Sequence, residues 1–422
     1  MIFAYKPFTG GHDVPMRVVG ANIPYEWLVY VFMFIPLGFL FYGAYRRFRV
    51  WRLAQSGLHR NDQVGRRVAS WLFNTFPQAQ VLRKPLAGVM HLALFWGFIF
   101  LLIATAAFAA WERIGFPEMT GWLYYLISWL ADVGGFFAML GIVVLAFIRW
   151  ILALVFAILL GGFLVEGLRI AAQIKLSTTL QQIAYEQDAS PVGWMFAWLF
   201  KSMSLDGLVL WHRLSWWSHM FLAFLFIAVV PFTKLWHIFT GMIGYYSRDL
   251  DPKAVPLIEN IEEAERFGVE RIEENTWKDL LDLDACIRCG RCQENCPAYY
   301  TGKKLNPKVT VIQAMKKHLD GKAPHLLSGA ARPELAMTSD AEANAVSPLE
   351  ASLLYDVVTP EVLWACTNCR ACQEHCPMFI EHLNKIINMR RNLVMWQGDM
   401  PAEAQNAFTN LERNYNPWGV GW

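Results

Sequence analysis

Charge is scarce in this chain. Of its 422 residues 17% are Asp, Glu, Lys or Arg and 55% are apolar, against about 25% charged in ordinary soluble domains. That balance excludes a disordered chain and an ordinary soluble enzyme. Cysteine is missing everywhere except in two short blocks, 286–296 and 366–376. A disulfide scaffold is thereby excluded, and no thiol is left over for a catalytic cysteine. The N-terminus lacks the charged–apolar–small pattern of a cleaved signal peptide, so the first apolar run is expected to remain as a membrane span. There is no GxGxxG after a strand and no Walker motif, so flavin, nicotinamide and nucleotide binding have no support. The net charge of +2 is uninformative in total, and no nucleic-acid partner is expected.

What the chain has in abundance is long apolar runs. A helical span needs about 20 such residues, and five stretches qualify: 25–45, 86–110, 122–148, 150–166 and 215–245. The loop from 46 to 84 carries nine basic residues and one acid, Asp62, which places it in the cytoplasm by the positive-inside rule. Residues 111–121 hold only Arg113 as a base and are expected outside. Five spans then put the N-terminus outside and everything after 247 in the cytoplasm, where eight reduced cysteines belong. One junction lacks turn chemistry: AFIRWILALV has no Gly, Pro or Asn, so the run is one long tilted helix, two helices with a tight turn at Arg149-Trp150, or two helices with a cytoplasmic loop missing there; two helices are favoured, with a loop missing.

The expected organisation is a membrane domain over 1–246, a linker over 247–278 with an acidic helix at Glu259–Glu274, a two-cluster domain over 279–395, and a tail over 396–422 that reads as a truncated further domain. Residues 328–348 look like an insertion. Helical patterning dominates throughout, so the fold class is all-α.

The cysteine blocks carry the strongest chemistry. Cys286, Cys289, Cys292, Cys296-Pro297 and Cys366, Cys369, Cys372, Cys376-Pro377 are both C-x₂-C-x₂-C-x₃-C-P runs. In two-cluster ferredoxins the fourth Cys of such a run ligates the other cluster. Cys286, Cys289 and Cys292 with Cys376 would hold one 4Fe–4S cluster; Cys366, Cys369 and Cys372 with Cys296 would hold the other. A pair of zinc sites is the alternative, but zinc gives no reason for a second Pro-terminated copy. The long helical segment between the blocks favours a helical ferredoxin over a compact β-containing one.

Three His lie in the spans: His91, His219 and His237. Ionisable groups at membrane depth are functional by default, and haem iron accepts imidazole axially. On one continuous helix His219 and His237 would share a face about 27 Å apart. His91 and His237 fall at equal depth and could ligate one haem. His219 has no evident His partner and is a candidate for a second haem or a quinone site, with His212 too shallow to help. Lys234 is read as snorkelling to the interface or pairing with a haem propionate. Asp132, Glu166 and Arg169 are further polar candidates for a quinone site, with helix packing as the alternative for each.

Gly88…His91 and His219…ProPheThrLysLeuTrpHis237 resemble the haem b subunit of respiratory nitrate reductase (gamma subunit). The Cys286–Lys308 stretch and the second block with Arg390-Arg391 resemble the ferredoxin part of the D-type iron–sulfur subunit of heterodisulfide reductase and its relatives. The fusion is similar to membrane iron–sulfur/haem oxidoreductases that link electron-transferring flavoprotein to menaquinone. That resemblance implies two 4Fe–4S clusters, haem b, a menaquinone or other quinone substrate and a cytoplasmic flavoprotein or iron–sulfur partner. It also implies a CCG-motif domain, which would sit on a separate polypeptide if not on this chain. The expected function is a quinone-linked oxidoreductase, or its electron-transfer subunit, in the cytoplasmic membrane. The alternatives are a non-haem anchor docking a soluble dehydrogenase or a heterodisulfide- or sulfite-reduction subunit, and an ion pump, disfavoured by the few acids in the spans.

Overall fold

The computed structural model describes residues 6–8, 15–16, 18, 20–55, 57–114, 120–145, 150–253, 255–258, 261–263, 267–328 and 351–421. Among them there is no strand; the one β pairing is an isolated bridge, Met16 to Thr120. Five helices are long and apolar enough to cross a membrane: Leu28–Trp51, Pro85–Ala110, Gly121–Ile142, Leu152–Leu176 and Leu205–Phe232. The all-α, five-span expectation is borne out. The junction at Arg149 and most of the insertion at 328–348 lie outside the described residues.

The chain divides into two compact units that interleave. One comprises Met1–Gly43 and Pro77–Thr233, the other Ala44–Phe76 and Lys234–Trp422. The basic loop and the stretch after Thr233, expected with the membrane domain, therefore belong to the unit that carries the cysteines.

In the first unit the Pro85–Ile114 and Gly121–Leu145 helices touch backbone to backbone. A Cβ on Gly97 would come 2.3 Å from the Gly134 carbonyl oxygen, and one on Gly141 would come 2.9 Å from that of Met90. Small residues at such crossings replace the hydrophobic drive that lipid removes. Ala138, Ile142, Val155 and Leu159 form a buried core between the third and fourth spanning helices.

The first, fourth and fifth spans differ from expectation. The first continues to Trp51 through Arg46, Arg47 and Arg49, long side chains that can reach the interface from a helix end. The fourth continues past 166 to Leu176, because the charges it takes in are paired: Arg169 bonds Glu166 at 2.6 Å and Glu186 at 2.7 Å. The fifth begins at Leu205, where Ser204 caps it by accepting from the Gly207 N–H, and its α-helix ends at Val229. Pro231, which lacks an N–H, lies in a 3₁₀ turn, and Thr233 is extended. A new helix then runs from His237 to Ser247. His219 and His237 are therefore not on one continuous helix, and the shared-face argument for them fails. His212, expected beyond the helix start, is a buried residue inside it. The described residues of the expected acidic helix, 261–263 and 267–274, are turns and irregular chain ending in a 3₁₀ turn at Ile272–Glu274.

Two short helices between the fourth and fifth spans, Leu180–Ala189 and Pro191–Leu199, have no counterpart among the elements expected from the sequence. The second packs on the fourth span, where Phe163 and Phe196 stack at 5.4 Å. Its N-terminus is satisfied from the third span: Asp132 accepts from the backbone N–H groups of Val192 at 2.6 Å and Gly193 at 3.0 Å. Asp132 is thus a helix cap, and Arg169 and Glu166 are an ion pair. Each unmet buried N–H costs about 1–3 kcal/mol, so Asp132→Ala should destabilise the protein by about 2–4 kcal/mol, with Asp132→Asn between it and the parent. Unfolding in detergent followed by tryptophan fluorescence reads the effect.

Candidate functional site

The two cysteine blocks fold alike. The Trp277–Ala285 helix ends at Cys286, and the Pro360–Trp364 helix ends two residues before Cys366. Arg288 and Gly290 in the first block take φ of 59° and 87°; Asn368 and Arg370, at the matching positions of the second, take 58° and 64°. These left-handed residues curl each block so that backbone N–H groups face sulfur: that of Arg288 toward Cys286 and that of Asn368 toward Cys366. Four-residue helices, Arg291–Glu294 and Ala371–Glu374, follow in each copy. The Ile380 N–H also donates to the Cys376 sulfur at 3.5 Å.

All eight cysteines are free thiols. Burial pushes the Cys292 thiol up to about 12, with Cys286 and Cys289 adding to the shift. Cys376 is raised first by burial and then by Cys289 and Cys286 of the other block. Cys372 is raised by burial and then by Cys366, Cys292, Cys296 and Cys369. The last cysteine of each block is thereby brought beside the first cysteines of the other. A cavity is lined by Cys296, Cys366, Cys369 and Cys372 together with Pro297, Leu305, Pro307, Leu383 and Ile386. Among the described residues no three His, Cys, Asp or Glu converge on a single ion; four thiolates on one zinc would lie about 3.8 Å apart. Four thiols around an apolar hollow fit a cubic cluster better.

A buried ionic network holds the blocks in place. Lys385, with 0% side-chain exposure, bonds Asp279 and Asp282 at 2.8 Å each, and Lys278 pairs with Asp282. The basic loop joins the same unit: Arg47 pairs with Asp284 at 2.9 Å, Arg60 with Glu381 at 3.2 Å and Arg66 with Asp251 at 2.8 Å. Arg67 donates to the carbonyls of Tyr246 and Arg248 at the end of the His237–Ser247 helix. Sequence reasoning missed this network. Lys278 and Asp282 at i and i+4 were a detectable signal; Lys385, 103 residues from Asp282, offered none.

The haem candidates are placed as follows. His91 Nδ1 lies 2.8 Å from Gln78 Oε1, and the turn bearing Gln78 packs tightly on the second span, where a Cβ on Gly88 would meet Leu82 Cα at 2.6 Å. His237 Nδ1 lies 2.6 Å from the Lys234 carbonyl. In each neutral imidazole an acceptor at Nδ1 leaves the lone pair on Nε2, the arrangement an axial ligand needs. His219 differs. Its buried Nδ1 makes no well-formed hydrogen bond, although the Ile158 carbonyl lies near the ring. The ring sits against the Gly161–Gly162 pair, where a Cβ on Gly161 would be 3.3 Å from that nitrogen. His91 and His219 belong to the first unit and His237 to the second.

Residues 282–380 match the family described as 4Fe-4S dicluster domain. The whole chain is 62% identical over 442 aligned positions to an "EtfAB:quinone oxidoreductase" of Syntrophomonas wolfei, covering 100% of this chain and 62% of that protein. It is 30% identical to the "Probable iron-sulfur-binding oxidoreductase FadF" of Bacillus subtilis, over 87% of this chain and 56% of that one. A "Probable membrane-anchored ferredoxin" of Chromohalobacter salexigens matches at 37% over 42% of this chain and 24% of its own length. No solved structure matches. The resemblance drawn from the residues is borne out, and the chain spans about 60% of the length of the first two relatives. Since 442 − 422 = 20, the first relative holds at least 20 residues within the matched region that this chain lacks, the size of a short loop.

His382 supplies a test of the dicluster fold. Burial and the Lys385 ammonium push its imidazole down to about 4, and its Nδ1 is bonded to the Ile380 carbonyl at 2.9 Å. The folded value lies below the unfolded one, so the unfolded chain binds more protons as pH falls below about 6.5, and stability falls with it. The expected loss from this residue is about 2 kcal/mol between pH 7 and pH 5. Denaturant unfolding at the two pH values should show that slope, and His382→Asn should remove it.

Proposed function

We propose that the chain is a membrane electron-transfer protein. In this reading it passes electrons between a cytoplasmic redox partner, two 4Fe–4S clusters, haem b and the quinone pool. Cys286, Cys289, Cys292 and Cys376 hold one cluster, and Cys366, Cys369, Cys372 and Cys296 the other. The observation that carries this is the crossed grouping of the thiols, in which the fourth cysteine of each block lies beside the first cysteines of its counterpart. When bound, the clusters and haem supply one-electron carriers.

This chain's own residues supply placement. The left-handed residues at 288, 290, 368 and 370 aim N–H groups at sulfur, stabilising thiolate over thiol. The ion pairs of Lys385 tie the helix before the first block to the helix after the second. Gln78 and the Lys234 carbonyl orient His91 and His237, the imidazoles that would hold haem b, while His219, pressed against two glycines, would be left for a second haem or a quinone.

The partner is inferred from the relative whose name couples EtfAB to quinone: an electron-transferring flavoprotein on the cytoplasmic side and menaquinone, or another quinone, in the membrane. The basic loop between the first two spans supports a cytoplasmic dicluster unit and an N-terminus outside. A CCG-type domain, if used, would reside on further sequence or on a separate polypeptide.

Purified protein should contain about eight iron, four per cluster, and Cys376→Ser should lose about half. Its visible spectrum should show reducible b-type bands that His91→Ala or His237→Ala abolishes. Full iron content with no such bands would defeat the haem assignment and leave an anchor for a soluble dehydrogenase.

A further inference from the structure

We propose that Arg390 raises the redox potential of the second cluster, held by Cys296, Cys366, Cys369 and Cys372, above that of the first. The inference rests on the ligand assignment given under Proposed function. Arg390 lies in the last turn of the His382–Arg391 helix and turns its guanidinium onto the second block. Nη2 donates to the Cys366 carbonyl at 2.5 Å, Nε to the Leu363 carbonyl at 3.0 Å and Nη1 to Asn368 Oδ1 at 3.0 Å. Its plane also lies over Trp364, with the central carbon 5.0 Å from the ring centroid. Four separate contacts fix a permanent cation against the loop whose N–H groups face the cluster sulfurs. Cys366 feels that cation directly.

In the first block the arginines are Arg288 and the buried Arg291, both within the cysteine run itself. There Cys286 feels Arg288 and Asp282, charges of opposite sign that offset each other. Counting back 80 residues, Val362 corresponds to Asp282 and Trp364 to Asp284. Asp284 is engaged by Arg47, Trp51 and Lys316. The two copies thus share a backbone and differ in charge. A cluster gains one negative charge when it takes one electron, so a fixed neighbouring cation favours its reduced form. An arginine keeps that charge at any working pH. An electron shared by the two clusters would rest on the second.

The test is a redox titration of the full-length, cluster-loaded protein followed by electron paramagnetic resonance, with Cys369→Ser marking the signal of the second cluster. In the parent protein that signal should have the higher midpoint potential; the opposite order overturns the proposal. Arg390→Gln should lower this midpoint alone, by about tenfold in the reduced-to-oxidised ratio at fixed potential, about 59 mV for one electron. Arg390→Lys, which keeps the charge and loses the forked hydrogen bonds, should retain most of the potential. Arg391→Gln removes a cation bonded instead to Asn388 and Pro256 and should change neither midpoint. Unchanged midpoints in Arg390→Gln overturn the proposal, as does an equal fall in Arg390→Lys, which would make the role one of loop geometry. Should Arg390→Gln fail to fold, the parent order and the lysine variant still decide. Absence of cluster signals from the parent protein would instead sink the ligand assignment, a result separable from every other.

Discussion

Lys385 lies out of contact with water between two carboxylates, and the crossed arrangement of the cysteines depends on it. Asp279 and Asp282 stand on the helix that leads into Cys286; Lys385 stands on the helix that follows Cys376. The Glu381 N–H adds a bond to Asp282 at 2.9 Å. These contacts close a loop of about a hundred residues, and loop closure of that length is costly in chain entropy. A hydrophobic pair could close it with equal stability, because desolvating three charges offsets most of their attraction. An apolar contact slides, however, and a lysine held by two aspartates does not. Bringing the two cysteine blocks together needs register more than strength, which is where buried ion pairs are best attested.

The same logic governs the charges of the spanning unit. Asp132, Glu166 and Arg169 sit in helices that are otherwise almost wholly apolar, and each is engaged by protein: Asp132 by two backbone N–H groups, Arg169 by two glutamates and Gln173. Their common effect is to seat two short helices, Leu180–Ala189 and Pro191–Leu199, against the spans. The ends of short helices leave backbone N–H groups that need partners, so the polar residues first weighed as a quinone site have a prior structural duty. The basic loop shows a parallel economy of roles. Its arginines carry the topological signal of the sequence, and four of them, Arg47, Arg60, Arg66 and Arg67, also make defined bonds within the dicluster unit.

Legibility followed the range of each signal. Apolar runs and C-x₂-C spacing are local, so the five spans and the two blocks could be read directly. The limit of the fifth span was also local, since Pro231 stands in Val-Val-Pro-Phe-Thr. Hydropathy continues straight through that proline, and the run was extended to Tyr245 at the expense of the backbone chemistry. The Pro191–Leu199 helix was overlooked because its capping acid, Asp132, comes 60 residues earlier; the Leu180–Ala189 helix has a local cap in Thr179, but it is short. Their own sequence, short and interrupted by Ser190-Pro191, does not reach the length of a span. Arg390 was visible only as part of a family likeness; its contact with the Cys366 carbonyl depends on 24 residues of intervening fold.

The break at Pro231 also changes what the histidines can mean. A continuous helix would have given His219 and His237 a fixed separation and a common face, and so equivalent roles. With the helix interrupted at Thr233, each imidazole must be judged by its own surroundings. His237 and His91 share a pattern, an acceptor at Nδ1 supplied by residues outside the regular helix, at Lys234 and Gln78. At His219 the Ile158 carbonyl lies near the ring without a well-formed bond to Nδ1, and the nitrogen faces the backbone of Gly161 and Gly162. A ring ligating through Nε2 gains basicity from an acceptor at Nδ1; one lacking it is a poorer axial donor and a better group to exchange a hydrogen bond with a passing ligand. The surroundings of Nδ1, rather than membrane depth, therefore distinguish His91 and His237 from His219.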